Sequence, residues 1–169
     1  MTNNPKSIII KNLLKILIIV IVGVLLVNIF ISKCSIGFNN TDSVDGKIFF
    51  VIKGSYPQIA SDKITFKVNN AHTNHEDKIF IKKVVGFAGD TISVKDNRIF
   101  LNKKDLGKIK PKSIKNNQLY PILTNDQSLV IPKDQYFVYS GHVDSYDSRY
   151  KSMGLINKSM IIGRAYAVF

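Results

Sequence analysis

Across residues 13–32 the chain is almost unbroken Leu, Ile and Val, interrupted by Lys15, Gly23 and Asn28. No other feature narrows the possible folds as much. Wound as a helix, the run reaches ~30 Å, the thickness of a bilayer's hydrocarbon core. A helix lying on a soluble protein needs a polar face, and this run has none. A cleaved secretory leader would have a shorter apolar stretch followed by a small-x-small site, and Lys33-Cys34-Ser35 supplies no such site. The expectation is an uncleaved transmembrane anchor at residues 13–32, after a tail at residues 1–12.

The flanks orient the anchor. Lys6, Lys11 and Lys15 cluster at its N-terminal end, Lys33 alone follows it closely, and no acidic residue precedes Asp42. The more basic flank stays in the cytoplasm. The expectation is a bacterial inner-membrane protein with a cytoplasmic N-terminus and an extracytoplasmic domain at residues 33–169. The net charge is +12, and all 12 acidic residues lie beyond the anchor, which leaves the exterior domain about +9. Such a domain is drawn toward anionic phospholipid. Nucleic-acid binding, the competing reading of the charge, is disfavoured by the outward topology and the lack of a nucleic-acid motif. Cys34 is the single cysteine, which excludes an intramolecular disulfide.

Beyond residue 46 the pattern is strand and turn. Residues 47–53 are an apolar run of β-formers, and 63–69 alternate with Ile64, Phe66 and Val68 on one face. Residues 78–85 read as a further strand, ended by Gly86-Phe87-Ala88-Gly89-Asp90. Residues 91–94 and 98–101 flank a hairpin turn at Lys95-Asp96-Asn97. Residues 135–139 and 160–169 are the last strands. Residues 102–117, rich in lysine, and 140–153 read as loops. No helical period of useful length follows the anchor. The expected fold is mainly β: one N-terminal transmembrane helix followed by a single antiparallel β domain.

Three motifs carry the chemistry: Asn40-Thr41-Asp42-Ser43-Val44-Asp45-Gly46, Phe80-Ile81-Lys82-Lys83-Val84-Val85-Gly86, and Ser145-Tyr146-Asp147-Ser148-Arg149-Tyr150. A serine nucleophile needs a base beside it. His72, His75 and His142 are the histidines, and none has a convincing Ser-His-Asp context. A lysine serves instead when burial keeps its amine neutral. Strand alternation puts Lys82 between Phe80 and Val84 on one face, and Lys83 between Ile81 and Val85 on the other. Both have apolar neighbours, so alternation leaves the choice open. His72-Thr73-Asn74-His75-Glu76-Asp77 is a weak metal signal and reads as a solvated turn. No cofactor is expected.

Together the motifs resemble the type I signal peptidases, serine endopeptidases with a Ser-Lys dyad. The resemblance runs from the anchor to Ile161-Ile162-Gly163-Arg164-Ala165. It implies Lys82 as the base, with Gly86, Gly89 and Asp90 matching the family's turn. It implies Ser43 as nucleophile, with its backbone N–H and Thr41 as oxyanion donors. Ser145 takes the place of the residue that orients the lysine, and Asp147 with Arg149 that of a supporting ion pair. The nucleophile segment, with Ser43-Val44-Asp45-Gly46 in place of Ser-Met-x-Pro, is similar to conjugative-transfer signal peptidases of the TraF kind. Departures from the housekeeping pattern are the missing proline after the serine, in the Asp45-Gly46 stretch, and Ser140-Gly141-His142 in place of Gly-Asp-Asn. The implied substrates are precursor proteins carrying leader peptides, among them pilin or another component of a conjugative transfer machine. The alternatives are a housekeeping signal peptidase and an inactive membrane-tethered binding or structural component of a secretion apparatus.

Overall fold

The computed structural model describes residues 5–39, 44–68, 78–113, 116–142 and 144–168. Thr41, Ser43 and the His72-to-Asp77 segment lie outside the described residues. The chain divides into two compact units, Met1–Ser35 and Ile36–Phe169.

The first unit holds helix α1, Pro5–Lys33. Proline suits a first turn because its missing N–H has no partner there in any case. The helix is longer than the expected anchor, because residues 5–12 continue it. Ile8–Lys33, 26 residues with an 18-residue stretch of mean hydropathy 3.0, is long and apolar enough to cross a membrane. Two of its polar side chains turn back on the helix itself. Asn28 donates to the Val24 carbonyl at 2.8 Å and Ser32 to that of Ile29 at 2.7 Å. Hydrogen bonds of this kind lower the cost of a polar group in hydrocarbon.

The second unit is antiparallel β. Its strands are β1 (Cys34–Phe38, which begins at the unit boundary), β2 (Ile48–Lys53), β3 (Lys63–Lys67), β4 (Ile79–Gly86), β5 (Thr91–Lys95), β6 (Arg98–Leu101), β7 (Lys104–Lys108), β8 (Ser128–Val130), β9 (Gln135–Val138), β10 (Ile156–Asn157) and β11 (Ile161–Ala167). They form a seven-stranded sheet, β1-β2-β11-β3-β4-β9-β10, and a four-stranded sheet, β7-β6-β5-β8. The mainly β fold expected from the alternation is the fold observed, with a short 3-10 turn at Lys158–Met160.

The segment 102–117, expected to be a loop, contains β7. Lys104-Asp105-Leu106-Gly107-Lys108 has no apolar alternation, so its own composition does not mark it as a strand. Pairing with β6 makes it one. Asn102 and Lys103 both hold positive φ, 49° and 69°, as do Asp96 and Asn97 at 51° and 56° in the preceding turn. Two consecutive left-handed residues match the twist of the strands they join.

On one face of the large sheet Ile64, Phe66, Val84, Val138, Ile156 and Ile161 form the main core. Phe66 and Phe80 lie directly opposite across β3 and β4 and stack at 5.8 Å. On the other face Val44, Phe49, Val51 and Ala165 pack with Ile81. The Gly86-to-Asp90 turn carries the chain from one sheet to the other. Gly89 takes φ 92°, and the Asp90 carboxylate closes the turn by accepting from the Phe87 N–H at 2.8 Å. Gly86 is where the sheets approach each other. A Cβ there would lie 2.7 Å from Ile131 Cδ1 and 3.0 Å from Phe137 Cβ. Gly86→Ala is therefore expected to destabilise the domain by about 1–3 kcal/mol through overpacking, read as a lowered urea midpoint at unchanged slope.

Candidate active site

Lys82 lies in mid-strand, paired with Ile64 of β3, on the face that carries Phe80 and Val84. Its residue surface is 4% exposed. Lys83, the neighbour that alternation could not exclude, is exposed on the opposite face, across from Lys63. The tertiary structure thus distinguishes the two lysines: only Lys82 is buried.

The Lys82 amine donates to Ser145 Oγ at 2.8 Å. Ser145 is itself buried and belongs to a loop fixed from several sides. Ser148 exchanges two hydrogen bonds with Val138 of β9: its N–H donates to the Val138 carbonyl at 3.1 Å, and its Oγ accepts from the Val138 N–H at 3.0 Å. Since β9 pairs with β4, this double bond sets the loop against the lysine strand. Tyr146 packs against Phe80 at 6.2 Å and stacks on Tyr150 at 6.4 Å.

Asp147 and Arg149 form a buried bidentate pair, Nε to Oδ1 at 2.8 Å and Nη2 to Oδ2 at 3.0 Å. The guanidinium also donates to three carbonyls: Lys108 at 3.1 Å, and His142 and Ser145 at 3.0 Å each. Its plane lies near the rings of Tyr139 and Tyr150, at 5.1 and 5.5 Å. A buried ion pair is costly unless its remaining hydrogen-bonding capacity is met, and here backbone carbonyls meet it. The pair therefore joins the end of β7 to the turn on which Ser145 sits.

Burial pushes the Lys82 amine down from 10.5 to about 8, with Asp147 raising it and Arg149 lowering it. The two charges oppose one another, so desolvation decides the outcome. A neutral amine with one N–H on Ser145 retains a lone pair able to take a proton from a hydroxyl.

The structure brings together Lys82, Ser145, Asp147 and Arg149, four of the six residues singled out from the sequence. Thr41 and Ser43 lie outside the described residues, and the structure gives the flanks of their segment. Asn39 Nδ2 donates to the carbonyls of Val44 at 2.9 Å and Gly46 at 3.2 Å. Val44 belongs to the cluster against which Ile81, the residue before Lys82, packs on the face opposite Lys82. The sequence analysis missed Ser148, Tyr139 and the Lys108 carbonyl as supports. Only Ser148 left a trace, through its place in the third motif. Among the described residues no group of three or more His, Cys, Asp or Glu side chains is placed to hold a metal ion.

The depressed Lys82 has a stability consequence. Between about 8 and 10.5 the unfolded chain binds the proton that the folded chain has released, so stability rises with pH through that window. At neutral pH burial of the charged amine costs roughly 3 kcal/mol. Lys82→Met is therefore expected to be more stable than the parent at pH 7, with the advantage shrinking as pH rises toward 10.5. Urea unfolding at a series of pH values measures it. A constant difference across that range would mean that Lys82 is not desolvated.

Comparison with known proteins identifies the family. The family described as signal peptidase, peptidase S26, matches residues 9–169. Signal peptidase I U of Bacillus subtilis (strain 168) is 26% identical over 98% of this chain and 94% of its own length. Signal peptidase I P of Bacillus subtilis subsp. natto is 35% identical over 53% of this chain and 50% of its own. The chain thus spans nearly all of the first relative and about half of the second. A solved signal peptidase I from Enterococcus faecalis V583 is a looser match, with a TM-score of 0.41 and 23% identity over 65% of this chain and 97% of that one. With a family match over all but its first eight residues, the chain belongs to the signal peptidase family, peptidase S26, and is a serine endopeptidase of that family.

Proposed function

We propose that the chain is a membrane-anchored leader peptidase with Ser43 as nucleophile and Lys82 as general base. The observation that carries this reading is the buried Lys82 amine held on Ser145. In the proposed reaction Ser43 Oγ attacks the scissile carbonyl while its proton passes to Lys82 Nζ. The oxyanion accepts hydrogen bonds from the Ser43 N–H and the Thr41 hydroxyl. The protonated Lys82 then gives its proton to the leaving amine. Water deprotonated by Lys82 hydrolyses the acyl-serine ester and frees the enzyme. Ser145 orients the amine, and Asp147 with Arg149 holds Ser145 in place. Support for Ser43 comes from the family match, which spans residues 9–169 and so includes its segment.

In this reading residues 1–12 are cytoplasmic, residues 13–32 cross the bacterial inner membrane and residues 33–169 face outward, drawn by their basic charge toward phospholipid. The substrates are exported precursors with leader peptides, in particular a pilin or another conjugative-transfer component. That narrower choice rests on the TraF-like nucleophile segment with Asp45 after Val44. The relatives, signal peptidases I, favour the broader, housekeeping alternative.

Ser43→Ala and Lys82→Ala are each expected to abolish cleavage of a leader peptide by the detergent-solubilised protein. The double variant should be no slower than either, because the dyad acts as a unit. Substantial turnover by Ser43→Ala would end the serine assignment. Turnover of general secretory leaders in preference to pilin leaders would decide for the housekeeping alternative.

Lys82 must be neutral to accept a proton, so kcat is expected to rise with pH through about 8. A free lysine would instead give a rise near ~10.4. A limb in the histidine range that disappears in His142→Ala would assign the base to His142.

For topology, protease added outside spheroplasts should digest the domain after residue 32 and leave the N-terminal tail intact. Full protection of the domain would place it in the cytoplasm.

A further inference from the structure

The lysine-rich segment that follows β6 is more than a solvated surface. Every second residue from Leu106 to Lys110 touches the loop that carries Ser145 or the strand beside it. The Leu106 carbonyl accepts from the Tyr139 hydroxyl. The Lys108 carbonyl accepts from Arg149 Nη1 at 3.1 Å. The Lys110 N–H donates to the Tyr150 hydroxyl at 3.4 Å, and the Lys110 amine forms an ion pair with the Asp144 carboxylate. Ile109 fixes the strap from its other side, donating to the Asn97 carbonyl at 2.9 Å.

Asp144 immediately precedes Ser145. Its N–H donates to His142 Nδ1 at 3.3 Å, and the Ser145 N–H donates to the His142 carbonyl at 3.1 Å. The two N–H groups thus fold the turn onto His142, and the carboxylate is its free handle. Holding that handle restrains the neighbouring Cα, about 3.8 Å along the chain, and through it the hydroxyl that meets Lys82.

We propose that Lys110 is a positioning residue of the peptidase: through Asp144 it holds Ser145 in the place from which the Lys82 amine is oriented. The inference rests on the proposed roles of Ser145 and Lys82. The side chains of the pair are 38% and 25% exposed, so the pair adds little to global stability. Its effect lies in geometry, where small displacements of a catalytic group are expensive.

The test uses the full-length chain in detergent with a leader-peptide substrate. Lys110→Met and Asp144→Asn are each expected to lower kcat about 3- to 10-fold, with KM changed less than about twofold and the unfolding midpoint moved by no more than about 2 °C. Lys110→Arg should keep parental activity. The exchanged pair, Lys110→Asp with Asp144→Lys, should recover most of it.

The pH profile separates positioning from charge. The charged groups that act on Lys82 are Asp147 and Arg149. Lys110→Met and Asp144→Asn alter the nearby charge in opposite senses. If they act through position, both admit water to the amine and move the rising limb to higher pH. Limbs that move in opposite directions would overturn the proposal in favour of simple electrostatics. So would parental kcat in Lys110→Met, or an exchanged pair as slow as the single variants, alongside an impaired Ser145→Ala. A fully active Ser145→Ala would instead remove the reading of Ser145 on which the proposal stands.

Discussion

A lysine amine enclosed by protein must either give up its proton or be met by a counter-charge. Lys82, with 4% of its residue surface exposed, has an ion pair nearby whose two charges largely oppose one another. The amine is left to desolvation on one side and, among the described residues, to the Ser145 hydroxyl on the other. Much of the domain's polar construction serves that one contact. Ser148 ties the loop to β9, and Arg149 ties it to β7. If Ser145 moved away, the amine would lose both its partner and part of its shield from water.

The arrangement sets stability against chemistry. Apolar residues of similar volume in place of Lys82 would pack the sheet at lower cost, since burial of a cation is unfavourable in itself. The fold tolerates it because β3 and β4 supply apolar contact on either side, with Phe66 on Phe80 and Ile64 opposite the lysine stem. The aliphatic part of Lys82 belongs to the core, and its amine alone needs special provision. The buried Asp147–Arg149 pair follows the same logic, having become affordable only because carbonyls of three separate residues accept from the guanidinium.

Alternation in residues 63–69 and 78–85 was enough to read β3 and β4, because successive side chains of a strand point to opposite faces of the sheet. Asp96-Asn97 was enough to read the turn between β5 and β6. β7 was not legible, since Lys104-Asp105-Leu106-Gly107-Lys108 becomes a strand by pairing with β6 and not by any apolar pattern of its own. The short β8 and β10, with three and two residues, are likewise set by their partners. In the candidate site, the family resemblance of the third motif marked Ser145, Asp147 and Arg149. The carbonyls of Lys108 and His142 that hold Arg149 could not be read, because a backbone acceptor leaves no mark on residue identity.

By itself the sequence determined that an apolar helix precedes a β domain, because hydropathy and period are local properties. Alternation left two adjacent lysines as candidate bases, and the family resemblance pointed to Lys82. Which of the two is buried belonged to the tertiary structure. Both lie between apolar residues in the same strand, and a strand cannot know which of its faces will be covered. The packing of Met153 and Tyr146 against the face that carries Ile64, Phe66 and Val84 made that decision. Lys82 was enclosed there with Ser145, while Lys83 was left in water opposite Lys63.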